Sequence, residues 1–212
     1  METTKNSNLP AKHNKYFDVR RLVFTALMAA LSYLLAQFLE FNIPIMPSFI
    51  KFDFSDTPAL IAAVTMGPVS GICVCLIKNL IGCITSSTAC IGELSNFILG
   101  AALVLPAGII SHSSKKFSRA VVGCLVGAAV MAAFGFVSNY FLIYPLYANV
   151  GWSTEVIIGL YQKINPNVNT LAECLLIFNV PFTFVKGLIA AIFSVLLYKR
   201  LRPIFNSMYR EK

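Results

Sequence analysis

The sequence predicts an all-α integral membrane protein with six transmembrane helices and both ends in the cytoplasm. Three observations carry that reading. Hydrophobic residues make up 57% of the 212 and charged residues only 12%, against about 25% charged in soluble domains. Mean hydropathy is +0.74. Several apolar runs approach or exceed the ~20 residues that a helix needs to cross a bilayer, and the basic residues cluster on alternate connections.

Residues 1–21 are polar and basic and read as a cytoplasmic tail. The apolar run that follows is too long for the core of a cleaved signal. Clear spans are expected over 22–39, 119–147 and 172–198, with a fourth, nearly as long, over 93–111. Between the first and fourth, 56–82 is apolar but interrupted by Met66-Gly67-Pro68. Gly-Pro is a strong turn signal, so 56–66 and 69–82 are expected as two short helices in a hairpin. The membrane domain then occupies 22–202, and 203–212 is a second cytoplasmic tail.

The positive-inside rule tests this count. With the N-terminus inside, the inner flanks hold Lys5, Lys12, Lys15, Arg20 and Arg21; Lys115, Lys116 and Arg119; and Lys199, Arg200, Arg202, Arg210 and Lys212. That is thirteen of the 17 basic residues. The outer loops hold Lys51 and Lys163, while Lys78 and Lys186 lie inside apolar segments. The net charge of +8 is thereby explained by topology signals facing anionic lipid, with no need of a nucleic-acid partner.

Ionisable residues inside membrane segments are functional candidates. They are Asp53, Asp56, Lys78, Glu93 and Lys186. A charge at the helix centre costs about 2.5–3.5 kcal/mol on insertion scales, so each needs a partner or a wet cavity. Helix rise gives their depth: Lys186 sits ~20 Å above the inner flank marked by Lys199, and Asn139 ~30 Å above Arg119. Both are placed toward the outside. Thr183 and Lys186 are three apart and share a helix face, with Asn179 one turn earlier; Glu93 and Asn96 are likewise spaced at the outer start of the fourth span. These residues are expected to line one outward-facing cavity, with Phe182, Phe184, Tyr140 and Tyr144 as aromatic walls suited to a flat polar heterocycle. Lys78 is open between ligand contact and a structural bridge to Asp56 or Glu93. Pro181 is expected to start or kink the last helix.

The outer loop 148–171 holds Trp152 and Tyr161, which read as interfacial anchors at least as well as ligand contacts. Ala26 and Ala30, with Ala29 beside them, and Gly123 and Gly127 are small-xxx-small pairs that permit close helix contact; the glycines are expected to pack within the domain. Cys83 and Cys90 flank a polar loop and can pair, although neither spacing nor setting demands it. A metal site is not expected: no Cys-x-x-Cys occurs, and His13 and His112 lie in polar flanks. The dipeptide Gly-Lys never occurs, which excludes a phosphate-binding loop of the G-x-x-x-x-G-K-[ST] type. A binding protein without its own motor fits best. A small membrane enzyme using Glu93 or Asp56 is the weaker second reading, and a purely structural protein leaves Lys186 as an unexplained cost.

Four stretches carry a resemblance: "KFDFSDTPALIAAVTMGPVSG" (51–71), "LIKNLIG" (76–82), "GELSNFILGAALVLPAG" (92–108) and "PFTFVKG" (181–187). Together they resemble the riboflavin-specific S components of energy-coupling factor (ECF) transporters, the RibU group, over about residues 22–202. "TALMAAL" (25–31) looks like the alanine motif of the first helix in S components. The resemblance implies a six-helix fold in the bacterial cytoplasmic membrane and an outward pocket roofed by the first loop. It implies riboflavin as transported ligand, with no cofactor of the protein's own. Docking through Ala26 and Ala30 onto a membrane T component that carries two cytoplasmic ATPases is implied as well. By the family pattern Asn139 and Lys186 contact the ligand, and Thr183 stands where an asparagine is expected. That departure leaves FMN or another vitamin as alternative ligands. Asn179, Glu93, Asn96 and Asp53 complete the expected ligand set.

Overall fold

The computed structural model describes residues 19–113 and 116–210, with side chains through Arg200. Lys5, Lys12, Lys15, His13, Lys115 and Lys212, and most of the N-terminal tail, lie outside the described residues, as do the side chains of 201–210, Arg202 and Arg210 among them.

The first helix, α1 (Val19–Phe38), turns its small and polar side chains Thr25, Ala29 and Ser32 inward. Ala26 and Ala30 fall on its exposed side. The following loop contains a short antiparallel hairpin, β1 (Phe41–Asn42) against β2 (Lys51–Phe52), with Phe41 opposite Phe52. This strand pair was not expected from the sequence.

The predicted break at Gly67-Pro68 is where the chain turns. Helix α2 (Asp56–Met66) ends at Gly67, whose φ of 103° is open to glycine and strained for other residues. Pro68 then opens α3 (Pro68–Gly82) at a position where its missing N–H costs nothing. With its terminal 3₁₀ turn (Cys83–Thr85), α3 reaches 18 residues and is long and apolar enough to span. Helix α2 is different. Its 11 residues rise only about 16 Å, and all but Thr65 are buried. It packs against α1 and α3 and against the later helices α4 (Ile91–His112) and α9 (Val180–Arg210), and forms the middle of the main core with Ala59, Leu60 and Ala63.

Helix α4 lies against α5 (Phe117–Ser138). Gly123 and Gly127 lie at this contact: a Cβ at Gly123 would come 2.8 Å from the Ala107 carbonyl, and one at Gly127 would strike the Leu103 carbonyl. The glycines serve internal packing, as expected. Five helices among the described residues have the length and hydropathy to cross a membrane: Val19–Phe38, Pro68–Thr85, Ile91–His112, Phe117–Asn149 and Leu171–Arg200. The shorter apolar helix α2, at 11 residues, is packed among them.

The last two spans each contain a π-helical turn, Asn139–Ile143 and Leu175–Asn179. In both, the closing N–H reaches back five residues, Tyr144 to the Asn139 carbonyl and Val180 to that of Leu175. Each turn ends two residues before a proline, Pro145 and Pro181. A proline offers no N–H to the carbonyl four residues back and its ring crowds that turn; the wider turn accommodates both. Pro181 is the second residue of the regular helix α9, which resumes at Val180 directly after the π turn, while the span as a whole runs from Leu171 to Arg200. Short α6 (Tyr144–Asn149) completes the span Phe117–Asn149, α7 (Thr154–Gln162) lies in the following loop, and α8 (Leu171–Cys174) leads into the last π turn behind a Thr170–Glu173 capping box.

Candidate functional site

One cavity gathers every residue that the sequence placed in a ligand site: Asp53, Glu93, Asn96, Asn139, Asn179, Thr183 and Lys186. Five of them, Asp53, Asn139, Asn179, Thr183 and Lys186, are 5–8% exposed. Three kinds of local structure deliver them: a loop, regular helix turns and π turns. The loop after β2 brings Asp53. The first turns of α4 bring Glu93 and Asn96. The two π turns bring Asn139 and Asn179, and the start of α9 brings Thr183 and Lys186 on one face.

Lys186 is ion-paired. Its Nζ lies 2.9 Å from Asp53 Oδ2 and 3.7 Å from Asp56 Oδ2. Asp56 in turn holds Lys78 at 2.7 Å, both side chains 3% exposed. Lys78 also donates to Ser55 Oγ at 2.5 Å. The Ser55 N–H donates to Asp53 Oδ1 at 2.8 Å, and the Ser32 hydroxyl of α1 donates to the Ser55 carbonyl. Two cations and two anions thus close a neutral cluster that joins α1, the first loop, α2, α3 and α9. Lys78 bridges to Asp56, not to Glu93. Burial would push the Asp53 carboxyl up, but Lys186 and then Lys78 outweigh it and hold the group well below the usual carboxylate range.

A second buried polar group faces the same cavity. Tyr161 donates to Asn179 Oδ1 at 2.5 Å, Asn179 Nδ2 donates to Tyr144 Oη at 3.1 Å, and the two phenols share a hydrogen bond of 2.6 Å. Tyr161 has no exposed surface. It is a core residue that ties α7 to both π turns, and the interfacial-anchor reading of it is corrected. Trp152 packs edge-on against Phe49 at 5.7 Å and lies 6.0 Å from Tyr147. The amide of Asn179 is largely committed to these tyrosines.

Other polar groups on the wall are uncommitted. Asn139 Oδ1 accepts from Ser95 at 3.2 Å, but no described residue bonds its amide N–H₂, the Asn96 amide or the Thr183 hydroxyl. Glu93, at the rim, accepts from Ser86 at 2.6 Å and from Thr88 at 3.4 Å. The remaining charges on the lining, Glu40 and Lys51, pair at 2.5 Å.

Of the four aromatic walls expected, Phe182 and Tyr144 line the cavity. Phe184 and Tyr140 do not: each is 38% exposed on the outer side of the bundle, Tyr140 stacked on Phe136 at 5.9 Å. Phe184 follows Thr183 by one residue, about 100° round the helix, and the π turn re-aims the side chains after Asn139. Phe49, Ile50 and Tyr147 take their place. The loop "IPIMPSFIKFDF" carried a signal for Phe49, since its prolines and aromatics suit a compact lid more than a solvated connection. Tyr147 gave none beyond its polar tip.

With this geometry in place, comparison with known proteins is informative. The family model for the substrate-specific component of ECF transporters matches residues 20–198. The chain is similar to the riboflavin transporter RibU of Staphylococcus aureus (strain TCH60), 32% identical over 182 residues, covering 86% of this chain and 90% of that protein. It is similar also to the riboflavin transporter FmnP of Bacillus subtilis (strain 168), 28% identical over 197 residues, with 87% and 93% covered. Among solved structures, an S component of a bacterial ECF transporter superposes with a TM-score of 0.68 at 31% identity, covering 88% of this chain and 97% of that one. A matched family model over nearly the whole chain, on a bundle of membrane-length helices around one polar cavity, makes this multi-pass bacterial membrane protein a member of the substrate-specific components of ECF transporters.

Proposed function

We propose that this chain captures riboflavin in the cavity and delivers it for uptake. It is a non-catalytic binding subunit. The observation that carries the reading is the set of uncommitted polar groups on a wall whose other polar residues are paired with one another and which also presents aromatic rings: the Asn139 N–H₂, the Asn96 amide and the Thr183 hydroxyl, beside Lys186. An isoalloxazine ring edge offers carbonyl and ring-nitrogen acceptors and one imide N–H. Asn139 donates to the former, Asn96 can serve either, and Thr183 supplies one further hydrogen bond. Phe49, Phe182 and Tyr144 flank the ring. Riboflavin fits better than its phosphate ester. Both cations on the lining, Lys51 and Lys186, are paired with acids, and Glu93 remains as an extra negative charge, so a phosphate dianion meets no free cation.

The names of the two bacterial relatives support riboflavin as ligand. The charge pattern of the connections supports six membrane helices, α2 included, with both ends cytoplasmic. The exposed face of α1 with Ala26 and Ala30 supports docking onto a membrane T component, with ATP hydrolysed by two cytoplasmic ATPases and not by this chain. Two experiments test the reading. Protein purified from riboflavin-grown cells should be yellow and release flavin on denaturation; colourless protein that takes up no added riboflavin ends the proposal. Ala26→Trp or Ala30→Trp should abolish co-purification with the T component while flavin binding persists; intact co-purification removes these residues from the docking face.

A further inference from the structure

The loop between α3 and α4 is folded back on itself. Ser86 Oγ accepts from the backbone N–H of Thr88 at 3.2 Å and of Cys90 at 3.0 Å, and donates to Glu93. Ala89 and Cys90 take φ of 50° and 64°, left-handed values that residues with a Cβ seldom adopt. The result sets Cys90 beside Cys83. The Cys90 Sγ lies 3.7 Å from the Cys83 carbonyl oxygen. Both are partly exposed, whereas Cys75, Cys124 and Cys174 are buried. Ser87 and Thr88, inside the loop, belong to the cavity wall.

We infer that Cys83 and Cys90 form a reversible disulfide that staples the cavity rim. The pair has the proximity and the access that thiol–disulfide exchange uses, and its loop borders the cavity through Ser87 and Thr88. Cys90, as thiolate, attacks one sulfur of a small-molecule disulfide and expels one thiolate. Cys83, as thiolate, then attacks the Cys90 sulfur of the mixed disulfide and expels the second. The two protein thiols lose two protons and two electrons, and one disulfide is reduced to two thiols. The bond closes the eight residues 83–90 into a ring and fixes Ser87 and Thr88 in place against the cavity. The oxidised chain should gain thermal stability over the reduced one by restricting the unfolded loop.

The test uses the full-length wild-type protein in detergent. It is incubated with oxidised glutathione, then denatured and alkylated with N-ethylmaleimide for intact-mass measurement. Fully reduced protein carries six adducts, one for each cysteine. The expected result after oxidation is four adducts, no attached glutathione, and recovery of six on adding dithiothreitol, with peptide mapping placing the loss at Cys83 and Cys90. In Cys83→Ser the partner is gone, and Cys90 should be recovered as a glutathione mixed disulfide or as a free thiol. Six adducts in oxidised wild type, stable glutathione adducts on both thiols, or loss at any other pair overturns the inference.

Discussion

The cavity is bordered by two buried polar clusters built on opposite principles. One is ionic: Asp53, Asp56, Lys78 and Lys186 with Ser55. The other is neutral: Tyr144, Tyr161 and Asn179. In the ionic cluster each charge exists because another is present. Removing both members of a pair can be nearly neutral, while removing one leaves an uncompensated charge in a medium that cannot solvate it. In the tyrosine–asparagine group no member carries a charge, and the loss of one hydroxyl strands a neutral donor or acceptor, a cost of about 1–3 kcal/mol, and no buried ion. The difference teaches which residues are free to meet a ligand. Lys186 and Asn179 are both on the wall, but both are also structural. Asn139, Asn96 and Thr183 owe nothing comparable to the fold.

The largest effect should come from breaking the ionic cluster on one side. Lys78→Met, which leaves Asp56 half-paired, should cost about 3–5 kcal/mol, seen as a collapse of folded yield in size-exclusion chromatography. The double variant Lys78→Met/Asp56→Asn should recover most of that yield. A double variant no better than the single one would contradict the pairing logic. Overpacking the α4–α5 contact comes next. Gly127→Ala drives a methyl into the Leu103 carbonyl and should cost about 1–3 kcal/mol, read as a lower thermal midpoint. Tyr161→Phe in the neutral cluster should cost about 1–2 kcal/mol by leaving the Asn179 carbonyl oxygen without a donor. A loss as large as that of Lys78→Met would erase the distinction between the clusters. Ser32→Ala should be smallest of all, about 1 kcal/mol, since the Ser55 carbonyl loses one of its possible donors but no charge is stranded.

The sequence and the structure agree best where one dimension suffices. The break at Gly67-Pro68 and the shared face of Thr183 and Lys186 follow from turn chemistry and helix periodicity. The seven residues expected in the ligand set line one cavity; for those on helices, sequence spacing conveys the shared face, while Asp53 arrives from a loop. Properties that depend on neighbours in space were not legible. The partner of Lys186, Asp53, is 133 residues away, and the choice of Asp56 over Glu93 for Lys78 depends on the placement of α2. The π turns arise where prolines meet packing, so the face of Tyr140 was not legible from spacing; Phe184, next to Thr183, was already excluded by the ~100° step of a helix. Tyr161 looked interfacial because nothing local shows that α7 folds over Tyr144 and Asn179.

The central claim is that the uncommitted donors on this wall bind a flavin. Ligand-free protein, titrated with riboflavin while flavin fluorescence is followed, tests it most directly. The account predicts saturable quenching at one flavin per chain. It predicts affinity lowered about 10–100-fold in Asn139→Ala, which removes donors worth roughly 1.5–3 kcal/mol, with the thermal midpoint of the ligand-free protein little changed. Absence of quenching in wild type, or undiminished affinity in Asn139→Ala, would contradict it.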